Sequence, residues 1–570
     1  MRDAYQVAAV RAAERALMEI VPDGALMARA ATGLASVCAS LLSRHPGHVY
    51  GTRVVVLAGS GDNGGDALYA GALLARRGAA VTAIAAGPKV HPGGTAALRA
   101  AGGRVIAQAD LTNGARLTNS ADLANSADLT NSASPTNSAG PTNSASPTNS
   151  ASPTDGTDPM NSADLIIDGL LGIGGRGGLR EPFAGLARQA ARARQAGATV
   201  VAVDLPSGID ADTGAVDGPA VQADVTVTFG AIKPGLLIDP GAGHAGAVEL
   251  IDIGLGPYLK DGPYAAAPQR DDIAELLPRP RAESDKYRRG VLGLLAGSDR
   301  FTGAVLLSAG GAVRGGAGMV RVVTANVAAV LVRQAWPETV VTVHPDEGHW
   351  DLLGSVGRVQ AWVAGPGMGT GQDAVARLAA VLGTDLPVLV DADGLTILSQ
   401  VKGLLPRLNG AAPTLITPHA GELARLLGTD GASVEARRLE HARRAAGELG
   451  VTVLLKGSTT VIAPPGASGG SPQTPVLVNP TGTPWLATAG SGDVLSGLAG
   501  ALLAQGLEPA QAGLAAAYLH GMAGRLAAAG AAGPLAAAGA SARASSGGAG
   551  EAPIGASDLV RALPAAFRSI

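Results

Sequence analysis

Short β-branched runs alternate with helical patterns along this chain, and the alternation runs twice. In the first 260 residues the runs are Arg53–Leu57, Ala80–Ala85, Leu165–Asp168, Thr199–Asp204 and Val225–Phe229. From Gly290 it restarts with Val291–Ala296, Met319–Thr324, Ala361–Ala364, Val388–Asp391, Thr414–Thr417 and Val451–Lys456. Strands separated by helices predict parallel sheets, because each parallel step needs a crossover and the crossover helices cover both faces. An amphipathic helix, about Val7 to Ile20, precedes the first strand, and the Pro- and Gly-rich stretch Leu255–Pro280 reads as a linker. The predicted fold class is α/β, in two three-layer α/β/α domains at residues 1–260 and 268–570.

Composition bounds what such a chain can do. Its 570 residues are 46% hydrophobic, enough for large cores, but only 3% aromatic with 82 glycines, so no single glycine is informative alone. A net charge of −3 gives no reason to expect a nucleic-acid partner. The one cysteine, Cys38, excludes an intramolecular disulfide and a cysteine-based zinc cluster, and its apolar helical setting places it in a core. The start M-R-D-A-Y-Q lacks the apolar segment of a signal peptide. The longest uncharged runs are Ala- and Gly-rich, which reads as too weakly apolar for a membrane span. A soluble cytoplasmic protein with no membrane partner is expected.

A low-complexity insert, about residues 110–162, interrupts the first half. Asparagine recurs every six residues from Asn113 to Asn149, followed by Asp155 and Asn161. Leucine holds one register from Leu111 to Leu129 before proline takes it over from Pro135 to Pro159. The next residue in register is Leu165, so the insert reads as an expansion of the N-S-A-D-L segment that leads into that strand. A β-helix coil is the alternative, but only four rungs carry leucine, and disorder is expected because this composition buries too little apolar area to offset ordering. The Ala/Gly/Ser-rich stretch Ala527–Glu551 reads as a second mobile insert.

Thr488–Gly497, T-A-G-S-G-D-V-L-S-G, carries the most chemistry. The helical spacing of Val494, Leu495 and Leu498 means that the small-residue turn opens a helix, whose free N–H groups bind anions, phosphate above all. Asp493 falls on the first turn, where an acid can accept the proton of a hydroxyl attacking a phosphate. In the first half, three loops leave strand ends: G59-S-G-D-N-G-G-D66, D168-G-L-L-G-I-G-G-R-G-G178 and D204-L-P-S-G-I-D210. All leave the carboxyl edge of the sheet, where open α/β sheets bind nucleotides, so they can meet in one crevice. Asn63, Asp168 and Ser207 supply hard oxygen ligands suited to an alkali or alkaline-earth cation.

These loops, with L26-M-x-x-A30 and T228-F-G-A-I-K-P-G235, resemble the NAD(P)H-hydrate epimerases over roughly residues 1–255, insert excepted. The resemblance implies a Rossmann-like domain and a substrate of NADH or NADPH hydrated at ring carbon 6 (NADHX, NADPHX) in either epimeric form. It implies that Asp62, Asn63, Gly64, Gly65 and Asp66, with Gly172, Ile173, Gly174, Gly175, Arg176, Gly177 and Gly178, line the hydrate. It places K+ on Asn63, Asp168 and Ser207, and makes Asp204 a substrate contact and the acid/base, with Lys233 as a helper. Asp62 departs from the family, which has asparagine there, as does Ala67 where glycine is common. A non-enzymatic version of the fold occurs in mRNA-decapping scaffolds; retention of Asn63, Asp168 and Asp204 argues against that reading.

The second half resembles the ADP/ATP-dependent NAD(P)H-hydrate dehydratases of the ribokinase-like group. It does so through K286-Y-R-R-G290, G297-S-D-R-F-T-G-A304, G315-G-A-G-M-V-R-V322, G365-P-G-M-G369, D391-A-D-G-L395, T417-P-H-A-G-E422, K456-G-S-T-T460 and the Asp493 motif. By this resemblance Ala304, Gly367, His419 and Asp493 contact the hydrate. Lys456, Gly457, Ser458, Thr459, Thr460 and Gly492 contact the phosphate donor, ADP or ATP, with ADP expected for an epimerase-first fusion. A histidine alone in the position of His419 reads as a surface or capping residue; its motif moves the reading towards substrate. Ala420 replaces the family's usual proline. Mg2+ is expected, since phosphoryl transfer needs charge neutralisation, and the family suggests a homo-oligomer, a tetramer. The competing readings are a ribokinase-group small-molecule kinase fused to a nucleotide sensor, and a binding scaffold without turnover.

Overall fold

The computed structural model describes residues 1–44, 47–87, 89–109, 158–175, 177–345, 351–408, 412–468, 474–530 and 550–570. Most of the expected insert, and most of the stretch 527–551, lies outside the described residues. At the edges of those two segments the chain is ordered. Pro159–Ser162 forms a 3-10 turn with Met160 buried, and the helix Pro509–Ala528 runs into the second.

Along the chain, β1 (Arg2–Ala4) is followed by β2 (Arg53–Ala58), β3 (Ala80–Ala85), β4 (Arg104–Ala107), β5 (Leu165–Gly169), β6 (Thr199–Val203), β7 (Val225–Phe229) and β8 (Ala247–Ile251). Strands β2 to β8 form an all-parallel sheet in the order β4-β3-β2-β5-β6-β7-β8. The central strands β2, β5, β6 and β7 are buried on both faces, which is why they read as continuous apolar runs. One face packs on the helices Val7–Met18, Ala25–Arg44 and Asp62–Arg76, the other on Phe183–Gln195. Strand order reverses between β2 and β5, and the crevice at that switch point opens at the carboxyl edge.

The second sheet uses β9 (Ala265–Ala267), β10 (Val291–Leu295), β11 (Met319–Thr324), β12 (Val340–Val343), β13 (Ala361–Ala364), β14 (Val388–Val390), β15 (Thr414–Ile416), β16 (Thr452–Leu455), β17 (Thr460–Ala463) and β18 (Val476–Asn479). Its order is β1-β9-β18-β17-β16-β15-β14-β13-β10-β11-β12, parallel from β12 to β16. Buried clusters lie on both of its faces, completing a second three-layer α/β/α unit.

Two expectations are corrected here. The stretch Leu255–Pro280 is not a plain linker: it carries β9 and the helix Arg270–Leu276, and β9 is buried between β18 and β1. Three alanines have no β-branched signal, so only their neighbours make them a strand. One described helix, Ala25–Arg44, is long and apolar enough to cross a membrane, contrary to the reading that no stretch qualified. Its Leu34, Cys38 and Leu42 are at most 1% exposed in the core on the first sheet.

The tripeptide β1 pairs antiparallel with β9 in the second sheet, and one buried cluster holds Leu205, Ile209, Ile232 and Leu236 together with Trp362, Leu378 and Leu423. The two halves therefore share a core. Within the second half the helix Ser491–Ala504 lies against Thr302–Arg314, and a Cβ on Gly497 would stand 1.9 Å from the Ser308 carbonyl oxygen. Gly497→Ala gains about 1 kcal/mol of helix propensity. It also forces two helix backbones apart, where overpacking costs about 1–3 kcal/mol. A lower melting temperature for the full-length variant is expected; an unchanged or higher one would mean that the helices separate without cost.

Candidate active sites

The first site is built on backbone contact between loops. A Cβ on Gly59 would stand 1.9 Å from the Leu170 carbonyl oxygen, so the turn after β2 and the loop after β5 touch only because Gly59 is bare. The helix Asp62–Arg76 begins there, with Asp62 exposed on its first turn. The Asn63 amide lies 3.2 Å from where a Cβ on Gly172 would be, and its Nδ2 is buried without a partner. Gly64, Gly65 and Asp66 are buried beneath it, and Ile173 is wedged between two cores. Gly174, Gly175, Gly177 and Gly178 continue the loop; Arg176 lies outside the described residues.

Asp168 is fully buried at the end of β5. Ser207 donates to it twice, from Oγ at 2.7 Å and from its N–H at 2.8 Å, and the Leu170 N–H donates at 3.3 Å. Burial nevertheless pushes its carboxyl up to about 6, against those hydrogen bonds. The Asp168 carboxylate, the Ser207 hydroxyl and the Asn63 side-chain carbonyl are oxygen donors of the kind that suits a monovalent cation, whereas the unpartnered Asn63 Nδ2 is a donor left for an acceptor.

Asp204 follows β6 with φ of 66°, a left-handed conformation that asparagine and aspartate tolerate better than most residues. Its Oδ1 accepts from Lys233 Nζ at 2.5 Å, Thr228 Oγ1 at 3.1 Å and the Phe229 N–H at 3.3 Å. Lys233 is 1% exposed and spends its remaining protons on Thr228 Oγ1 and the Phe229 carbonyl. Oδ1 is thus saturated, and Oδ2 is the oxygen left for a ligand. Asp66 behaves differently. Its Oδ1 is buried without a partner, and burial, then the charges of Asp204, Asp62 and Glu14, push it up to about 8. One carboxyl is paired and the other is held as the neutral acid, the arrangement that separates base from acid.

In the second site Asp493 lies on the first turn of Ser491–Ala504, entered through Gly490 at φ of 85°. The Ser491 N–H donates to the Thr488 carbonyl, whereas no backbone acceptor among the described residues takes those of Gly492 and Asp493. Asp493 shares a cavity of about 190 Å³ with Phe301, Ala304, Gly367 and Asp393. Burial, then the neighbouring Asp391, push its carboxyl up to about 7, with Lys456 opposing. Lys456 Nζ lies 2.7 Å from Asp391 and 3.8 Å from Glu422, and 3.4 Å from where a Cβ on Gly492 would be. Burial works to lower its pKa, but Asp391, Glu422 and Asp493 outweigh burial and raise it. Asp391 also accepts from Ser496 Oγ at 2.6 Å.

His419 is not among the residues lining that cavity. It caps the helix Ala420–Leu427, its Nδ1 accepting from the Gly421 N–H at 3.0 Å, while Glu422 accepts from the His419 N–H. Thr459 Oγ1 accepts from the Asp239 N–H at 2.9 Å, so the Lys456–Thr460 turn, with Gly457 and Ser458, rests on the first half of the chain.

Residues 23–235 match a family model described as YjeF-related protein N-terminus, and residues 292–542 one described as NAD(P)H-hydrate dehydratase. The chain is 42% identical to the bifunctional NAD(P)H-hydrate repair enzyme Nnr of Mycobacterium leprae over 530 residues, 93% of this chain and 95% of that protein. The chain belongs to the bifunctional NAD(P)H-hydrate repair enzymes. The Corynebacterium glutamicum repair enzyme Nnr is 32% identical, with 89% of this chain and 88% of that one covered. Among solved structures, the ADP/ATP-dependent NAD(P)H-hydrate dehydratase of Bacillus subtilis, co-crystallised with ATP/Mg2+, is 28% identical. It covers 53% of this chain and 96% of its own, with a TM-score of 0.41.

Sequence reasoning missed several residues that shape the two sites of this repair enzyme. His520, buried on Pro509–Ala528, donates from Nε2 to the Ser491 carbonyl at 2.9 Å and stays neutral, burial pushing it down to about 4. Arg438, 1% exposed, donates to the carbonyls of Leu455 and Lys456 at 3.2 and 2.8 Å and so props the strand end before Gly457. Glu14 is raised by burial, and on the same helix, Val7–Met18, Arg11 Nη2 lies 3.1 Å from where a Cβ on Gly174 would stand, which puts the helix beside the first site. Only the amphipathic spacing of that helix was visible in the sequence.

Proposed function

We propose that this repair enzyme epimerises hydrated NADH and NADPH at the Asp204 site and dehydrates one epimer at the Asp493 site, using ADP or ATP. The observation that carries the second activity is Asp493: a carboxyl near neutrality, on a cavity wall, beside unused N–H groups at a helix start. Asp493 takes the proton of the carbon-6 hydroxyl as that oxygen bonds to the donor's terminal phosphorus, and the bond from phosphorus to the donor's bridging oxygen breaks. The Gly492 and Asp493 N–H groups stabilise the charge that develops. The C6–O bond of the phosphate ester then breaks, phosphate leaving with that bonding pair as the ring nitrogen's lone pair forms a C=N bond to carbon 6, and loss of a proton from the adjacent ring carbon restores NAD(P)H.

Asp393 faces the same cavity, with Oδ2 accepting from the Gly369 N–H at 2.9 Å and Oδ1 carrying no hydrogen bond among the described residues. Such a carboxylate oxygen suits Mg2+, which would neutralise phosphate charge there. At the first site Asn63, Asp168 and Ser207 would hold K+. Asp66, as the neutral acid, lines the hydrate, and Asp204 Oδ2 moves the proton as the carbon-6 hydroxyl leaves and water returns from either face.

Incubating the full-length protein with both hydrate epimers, with and without ADP or ATP, tests this. Recovery of NAD(P)H from both epimers supports it; a stable phosphorylated product would favour the kinase reading. Asp493 must be ionised to act as a base. Dehydratase kcat/KM is therefore expected to fall as pH drops below about 7 and to level off above it. A profile flat through that range would remove Asp493 as the base.

A further inference from the structure

Among its described residues the first site is rich in carboxyls and poor in usable cations. Glu14, Asp62, Asp66 and Asp204 act on one another's charge there. A hydrated dinucleotide brings a diphosphate, which a cationic side chain would complement. Lys233 cannot: it is buried and its protons are spent on Asp204, Thr228 and the Phe229 carbonyl.

Arg11 differs. It sits on the exposed side of the helix Val7–Met18, and its Nη2 lies 3.1 Å from where a Cβ on Gly174 would stand. Its charge is felt by Glu14 one turn along, but the described residues give its guanidinium no hydrogen bond or ion pair. The helix is pinned at its start. The Tyr5 N–H donates to the Ile232 carbonyl at 2.8 Å and the Val7 N–H to Asp212 Oδ1 at 2.7 Å, one residue away from Lys233 and two from the Asp210 turn. A fixed helix carrying an unspent planar fork above a bare glycine turn suits a bidentate phosphate contact.

We propose that Arg11 binds the diphosphate of the hydrated dinucleotide against the Gly172–Gly175 turn. This rests on the epimerase reading above. The test uses full-length wild type, Arg11→Ala and Arg11→Gln, with initial epimerisation rates measured on hydrated NADH and hydrated NADPH. Loss of a charge-assisted contact is expected to raise the epimerase KM by about tenfold or more for both hydrates in both variants. The kcat, the melting temperature and dehydratase kinetics should be little changed, and the rise in KM with added salt should be shallower than in wild type.

An unchanged KM in either variant, while wild type accelerates epimerisation, overturns the inference. So does a fall in kcat at constant KM, or a rise confined to hydrated NADPH, which would put Arg11 on the 2′-phosphate. A wild type without acceleration would sink the epimerase reading itself. Titration calorimetry with hydrated NADPH would then decide on Arg11 separately: weaker binding by the variants keeps it as a phosphate contact, and equal affinity removes it.

Discussion

Replacing Asp493 by asparagine is expected to lower ADP- or ATP-dependent dehydration by about two or more orders of magnitude while leaving epimerisation intact. The amide keeps the shape of the first helical turn and cannot take a proton. Loss of fold is not the alternative, and the sign of the pKa shift says why. Asp493 is raised from 3.8 to about 7, so the unfolded chain gives up its proton first as pH rises. Wild type therefore loses stability between those two values that the asparagine variant keeps. The variant should be at least as stable as wild type at pH 8, apart from about 0.3–1 kcal/mol for a negative charge lost near a helix start. The measurements are initial rates of NADH recovery and a melt at pH 8. Near-normal recovery by the variant would end the assignment of Asp493 as the base.

Asp204→Asn is expected to return epimerisation to its uncatalysed rate and to spare dehydration. Asparagine tolerates the left-handed φ of 66°, so the backbone should hold. The electrostatic change is larger. Lys233 is buried and pairs with Asp204, and removing one partner of a buried pair costs about 3–5 kcal/mol because the other is left charged and dry. A lowered melting temperature is therefore part of the expected result, and dehydratase activity in the same protein serves as the folding control. Spontaneous epimerisation continues, so the initial rate is the quantity to follow. Unchanged acceleration would remove Asp204 from the acid/base role.

The central strands were legible because they are buried on both faces. Val225–Phe229 and Ala361–Ala364, buried throughout, fall where their apolar runs placed them. Strands outside that pattern were not read. β8 is partly exposed at a sheet edge, and β1 and β9 are three residues each. The helix start at Ser491 was legible from its small-residue turn and the spacing of Val494, Leu495 and Leu498. The three loops after β2, β5 and β6 were legible as glycine-rich strand ends, and their meeting in one crevice followed from the rule for parallel sheets.

What the sequence determined by itself is what depends on near neighbours: periodicity, turn chemistry, helix starts and the ordered motifs that carry the family. Charge state and pairing do not depend on near neighbours. Lys233 saturates Asp204, Asp66 is pushed up beside them, Arg438 props Lys456, His520 holds the Ser491 carbonyl, and β1 crosses to the sheet of the other half. Each joins segments far apart in the chain. The strength of each follows from how deeply the two groups are buried, because water no longer screens them. Burial of that kind exists only once sheet order and helix packing have closed around the side chains, which is why the tertiary structure alone decided it.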